Sequence, residues 1–160
     1  MTRIEIAEGI LSRQLAWVAS SDSKASFIFP VAAAMLGVLA AVAPAPTAWT
    51  VSSGIFASIA TILLVLSIAF CALSAFPQTE GPKGSMIFCE GIRSKELAQY
   101  ESDLCSLTDD SHLSDLAKQI HINASIAAKK FTWIKRSLLC LFTSALPWAL
   151  SIYLLYIQHQ

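Results

Sequence analysis

The sequence predicts an all-α membrane protein. It has three transmembrane helices, an N-terminal amphipathic helix, and a cytosolic helical hairpin continuous with the last span. Three observations carry that prediction. The 160 residues are 55% hydrophobic and only 14% charged, with a mean hydropathy of +0.60, whereas soluble domains carry about 25% charged residues. No charged residue occurs from Ala25 to Thr79, and from Ser137 onward His159 is the one side chain that can carry a charge near neutral pH. All 11 Lys and Arg residues fall within residues 1–24 or 77–136.

Residues 2–20 have helical periodicity. Ile4, Ala7, Ile10, Leu11, Trp17 and Val18 share a face, while Arg3, Glu5, Glu8, Arg13 and Gln14 occupy much of the rest. Such a helix either lies on the inner leaflet or packs on the cytosolic helices. The polar cluster Ser20-Ser21-Asp22-Ser23-Lys24 then forms a collar before the first span, which runs near Ser26 to Val42. Within that span, Ala33, Gly37 and Ala41 recur at four-residue spacing, and small residues let helix backbones approach closely in lipid. Packing against the second span of the same chain is expected; association between copies is the alternative.

A-P-A-P-T-A-W-T at 43–50 marks a tight turn, and the second span follows near Val51 to Phe76. P-Q-T-E-G-P-K-G at 77–84 is a breaker-rich exit loop. A helical stretch from about Arg93 to Leu107 places Leu97, Tyr100, Leu104 and Leu107 on one face. T-D-D-S at 108–111 supplies turn and N-cap chemistry. The next helix carries Leu113, Leu116, Ile120, Ala124, Ala127, Phe131 and Ile134 and meets no breaker before the third span, Ser137 to about Ile157. Pro147 lies 11 residues past Arg136, about 16 Å deep by helical rise. It removes a backbone hydrogen bond and is expected to bend the helix, with Thr143 and Ser144 near the freed carbonyl. A gating hinge is the second reading of Pro147. The chain thus divides into 1–25 (amphipathic helix and collar), 26–76 (two-span hairpin), 77–136 (cytosolic hairpin) and 137–160 (third span and short outside tail).

The positive-inside rule puts both basic stretches in the cytoplasm, so the N-terminus is inside and the 43–50 turn and C-terminus are outside. The first span reads as an uncleaved anchor, because it is too long for the apolar region of a signal peptide. Cys71, Cys89, Cys105 and Cys140 lack metal or disulfide spacing. His112 and His121 are nine residues apart and do not share a helix face. No nucleophile elbow, zinc-protease motif, P-loop or dinucleotide fingerprint is present. The chain is therefore expected not to be an enzyme and to need no cofactor. The spans lack acids, Lys and Arg, so an ion-coupled transporter has no ionisable group to use.

Trp17 with Asp22-Ser23-Lys24-Ala25 ahead of a span resembles the "W…AD-x-KA" motif of the Pycsar transmembrane effectors. I-F-C-E-G-I at 87–92, Tyr100, Gln119-Ile120 and A-A-K-K-F at 127–131 resemble that family's cytosolic hairpin. Ser21 departs from the pattern, which usually has Ala before the Asp. The resemblance implies a bacterial inner-membrane effector of antiphage defence. A partner cyclase, a genetic rather than a stable partner, would make cUMP or cCMP on infection. The effector would then damage the membrane and arrest or kill the infected cell. It is expected to act among membrane lipids and without nucleic acid, and as a homo-oligomer, because three short spans from one chain cannot enclose a wide pore. A non-lytic adaptor whose hairpin docks another protein is the alternative.

A nucleotide bound directly needs donors for one phosphate and a surface for the base. Candidates are Lys24, Arg93, Lys129, Lys130 and Arg136, with Trp17 or Tyr100 as stacking surfaces. Lys129, Lys130, Lys135 and Arg136 also suit anionic headgroups, and the lipid-anchor reading is preferred for that cluster. Asp22 is expected to pair with this basic cluster and couple the N-terminal helix to the hairpin. A collar role without coupling is the simpler reading of Lys24.

Overall fold

The computed structural model describes residues 2–45, 48–76 and 84–158. The exit loop over 77–83, Pro46 and Thr47 of the turn, and His159 lie outside them. Five helices follow in order: α1 (Arg3–Ala41), α2 (Val51–Ala75), α3 (Cys89–Arg93), α4 (Leu97–Cys105) and α5 (Asp109–Gln158). No strand occurs among the described residues. Three of these helices, α1, α2 and α5, are long and apolar enough to cross a membrane.

Local chemistry explains where the helices begin. Thr2 and Glu5 form a capping box: Glu5 N–H donates to Thr2 Oγ1 at 3.2 Å, and Thr2 N–H donates to Glu5 Oε2 at 2.9 Å. Thr50 caps α2 by accepting from Ser53 N–H. Thr108 accepts from Ser111 N–H, and Asp109 and Asp110 place negative charge in the first turn of α5, where the helix dipole favours it. At 39 and 50 residues, α1 and α5 reach about 58 and 75 Å at 1.5 Å per residue. Both exceed a hydrocarbon core of about 30 Å, so each extends well beyond its span.

The polar cluster at 20–24 is part of α1, which is helical from Arg3 to Ala41. One feature differs from the sequence reading. The stretch expected as one helix from 93 to 107 is instead α3 and α4, separated at Ser94–Glu96. Ser94 donates its hydroxyl to Gly91 O, and Glu96 takes an extended conformation as the residue before α4.

The chain forms two compact units, residues 1–20 with 77–129 and residues 21–76 with 130–160. In the second unit, α1, α2 and α5 bury Ala25, Ile28, Ala32, Leu39, Ala60, Leu64, Cys71, Ile134 and Leu141 together. The buried positions recur every three or four residues. On α2 they are Ser53, Ala57, Ala60, Leu64, Ser67, Cys71 and Ser74; on α5, Lys130, Ile134, Ser137, Leu141 and Ser144 continue to Ser151 and Leu155. This is the 3.5-residue period of coiled-coil packing, with small residues at alternate layers. Outward positions carry Phe27, Ile55, Ile62, Phe142 and Leu146, which suits contact with acyl chains.

The small-residue stripe is not part of that packing. Ala33, Gly37 and Ala41 are exposed, and a Cβ at Gly37 would meet nothing within 4 Å. The expected contact with the second span is made instead by the adjacent face, Ala25, Ile28 and Ala32.

In the first unit, Ala7, Leu116, Gln119 and Ala127 are buried. Lys95 pairs with Asp103 at 2.8 Å, and Glu8 lies 3.8 Å from His112.

Candidate functional site

The second unit holds a charged pair at the margin of its apolar core. Lys130 occupies the same heptad position as Ser137, Ser144 and Ser151, so the regular winding of α5 turns its side chain inward. Its Nζ donates to Asp22 Oδ1 at 2.5 Å; the Lys130 side chain is 11% exposed and that of Asp22 48%. Asp22 comes from α1, one turn before Ala25 in the core. Ser74 of α2 donates its hydroxyl to Lys130 O at 3.4 Å, and Cys71 Sγ donates to Ala25 O at 3.3 Å. All three helices therefore meet at this point. A cavity of about 440 Å³ opens beside it, lined by Asp22, Ser26, Pro30 and Cys71 among others. Pro30 lacks an N–H, so the carbonyl of Ser26 loses its helical donor there.

The neighbouring cations face elsewhere. Lys24 Nζ stands 5.2 Å from the centroid of the Phe131 ring, and Arg136 stands 4.8 Å from that of Trp133. These are cation–π contacts: the first links α1 to α5, and the second holds Arg136 on its own helical surface. Lys129, Lys135 and Arg136 are exposed, whereas Lys130 is buried. The basic cluster is thus split: three members point outward, and the fourth belongs to the core.

The other candidate residues lie in the first unit. Tyr100 donates its hydroxyl to Met86 O at 3.2 Å, Trp17 is half exposed, and Arg93 ends α3. Trp17, Arg93, Tyr100 and Lys129 thus belong to one unit, and Lys24, Lys130 and Arg136 to the other. Pro147 lies inside α5, which stays helical through it. Ser144 donates to Leu141 O rather than to the carbonyl that Pro147 frees.

Sequence reasoning missed a polar lock in the first unit. Ser85 donates its hydroxyl to Asp115 Oδ2 at 2.9 Å, and Met86 N–H donates to the same oxygen at 2.8 Å. Ser85 Oγ in turn accepts from Ile87 N–H, Phe88 N–H and Gln119 Nε2. Three hydrogen bonds, two to the Asp115 carboxylate and one from Gln119, pin the segment before α3 onto α5. Gly91 completes the fit, because a Cβ there would collide with the Ser85 carbonyl. The signal was present in the sequence: Asp115 and Gln119 stand one helical turn apart, beside the apolar face of α5.

A family model for the Pycsar effector protein domain matches residues 6–157. The chain is also 26% identical over 164 residues to the Pycsar effector protein PtPycTM of Propioniciclava tarda, across 91% of this chain and 80% of that one. No solved structure matches. The family match spans all three apolar helices and both the ion pair and the Ser85 lock, and the chain belongs to the Pycsar effector family, as an effector of antiphage defence.

Proposed function

We propose that this effector lies in the bacterial inner membrane with its N-terminus in the cytoplasm. There it responds to a cyclic pyrimidine mononucleotide, cUMP or cCMP, made by a partner cyclase. Its response is to impair membrane integrity, which arrests or kills the infected cell. The observation that supports this best is the extent of the family match. It takes in three apolar helices, whose bundle is the larger of the two units of the chain. Its action is therefore physical rather than catalytic, and several copies act together, since three helices from one chain enclose no wide pore.

The helices also suggest how a signal travels. Both α1 and α5 run unbroken from residues of the first unit into residues of the second. Asp22 and Lys130 join those two helices within the second unit. A nucleotide that shifts α1 against α5 changes the geometry of this pair. Arg93 and Lys129 are the anion-binding candidates, with Trp17 as a stacking surface. Lys24, Lys130, Arg136 and Tyr100 already have intramolecular partners and are assigned structural roles.

The test is dye release from vesicles containing the full chain. Release on addition of cUMP or cCMP, with no release from the protein alone, supports the reading. Intact vesicles at saturating nucleotide, together with a stoichiometric protein partner recovered from cells, would instead favour the non-lytic adaptor.

A further inference from the structure

We propose that the hydroxyl seam inside the three-helix core, Ser67 and Ser74 of α2 with Ser137, Ser144 and Ser151 of α5, lines the ion-conducting path when the bundles of several copies open toward one another. This structure holds that seam closed. The inference rests on the membrane-permeabilising reading above and names the surface that carries it out.

Each of these serines is almost completely buried, at 0 or 1% exposure. They fall seven residues apart on their helices, so the hydroxyls of one helix stand in line about 10.5 Å apart, with Cys71 or Leu141 buried between. Two of them clasp the helices together: Ser67 donates to Ser137 O at 2.9 Å, and Ser137 donates to Ser67 O at 2.7 Å. Close approach of helices does not require hydroxyls. Ala25, Ala32, Ala57 and Ala60 provide it in the same core without a polar atom to desolvate.

The hydroxyls are also not all used. Ser151 Oγ, and Ser21 Oγ on α1, are buried without a hydrogen-bond partner. A buried polar group without a partner is unfavourable and calls for an explanation. A seam that becomes hydrated in a second state supplies one, because water then satisfies the groups left unpaired here. Outward positions of the same helices are filled mainly by Ile, Leu and Phe, such as Ile55, Ile59, Leu139, Phe142 and Leu146, and offer water little.

The end of the seam has its own chemistry. Lys130 continues the line of Ser137, Ser144 and Ser151, and Asp22 neutralises it in the closed state. Separation of that pair exposes an ammonium on α5 and a carboxylate on α1 at the mouth of a hydroxyl-lined path, where both can act on a passing ion.

The test uses the full chain in vesicles, with its native cysteines replaced by alanine. Ser137→Cys and Ser144→Cys are compared with the outward Leu139→Cys and Leu146→Cys. Ion efflux is triggered with cUMP or cCMP, and a membrane-impermeant charged thiol reagent is then added. The proposal expects the reagent to suppress efflux several-fold at the seam positions and to leave it unchanged at the outward ones. Efflux that the reagent blocks only at outward positions overturns the seam while leaving the proposed function intact. Absence of efflux from the parent chain overturns both. Ser151→Ala, which removes a buried hydroxyl that has no hydrogen-bond partner here, provides a second measurement. The proposal expects a several-fold loss of efflux at unchanged helicity and melting temperature, and unchanged efflux overturns it.

Discussion

Asp22 and Lys130 are 108 residues apart in sequence and form a direct ion pair between α1 and α5. The two partners are unequally placed. Lys130 is nearly enclosed at a core position, whereas about half of the Asp22 side chain remains accessible. The pair therefore matters less for the attraction it gains than for the charge it prevents from being stranded.

Asp22→Asn should lower the stability of the second unit by about 2 kcal/mol. That is less than the 3–5 kcal/mol for breaking a fully buried pair, because water still reaches the site. Lys130→Met in the Asp22→Asn background should recover most of the loss, since it removes the stranded ammonium and keeps the aliphatic length. Thermal melts of the four proteins in one detergent measure this cycle. Additive losses would show that the two side chains act independently.

Ser85 and Asp115 make the corresponding prediction for the first unit. Asp115→Ala removes the acceptor for both Ser85 Oγ and Met86 N–H, at a cost of about 1–3 kcal/mol for the donors left behind. Asp115→Asn retains one acceptor oxygen and should cost less. Hydrogen exchange at residues 85–93 should accelerate in the alanine variant and change little over α2. Uniform acceleration across the chain would mean that the lock does not act locally.

The periodicity and the charge distribution made the three spans legible. α2 begins at Val51 as expected and ends at Ala75, one residue before the expected limit, and α1 ends at Ala41 rather than Val42. The core-facing side of each helix was harder to read. In lipid, the interior of a bundle is no more apolar than its exterior, so hydrophobic residues mark both sides. The small residues at 33, 37 and 41 suggested one face of α1, yet the chain buries Ala25, Ile28 and Ala32 on another. Polar residues were the better guide. Counting back in sevens from Ser151 gives Ser144, Ser137 and Lys130, all buried. Lys130 was legible as a cation near the bilayer surface, but its inward direction follows only from that register. The Ser85 lock depends on a loop folding back onto α5, a contact between residues about 30 positions apart that helical periodicity does not encode.

Trp148 offers a test of how α1 and α5 are held together away from the ion pair. Its indole N–H donates to Met35 O at 2.9 Å, and its ring packs on the core. Trp148→Phe keeps most of the ring and removes the donor, so it should cost about 1 kcal/mol. Trp148→Ala also loses the packing and should cost about 3–5 kcal/mol. Melting temperatures of the two variants separate the terms. Equal losses would place the whole contribution in the hydrogen bond.

Gly37 gives the opposite sign. A Cβ at this position would meet nothing within 4 Å in the chain, so Gly37→Ala creates no clash inside the bundle. Alanine also restricts the unfolded backbone and favours helix, by roughly 0.5–1 kcal/mol in exposed helix interiors. The variant should therefore melt at the same temperature as the parent or slightly above it. Gly37→Leu should likewise fold, its side chain pointing away from α2 and α5. If either variant is strongly destabilised at protein-to-detergent ratios that keep copies apart, the stripe packs within the chain after all, and the outward placement of Ala33, Gly37 and Ala41 is wrong.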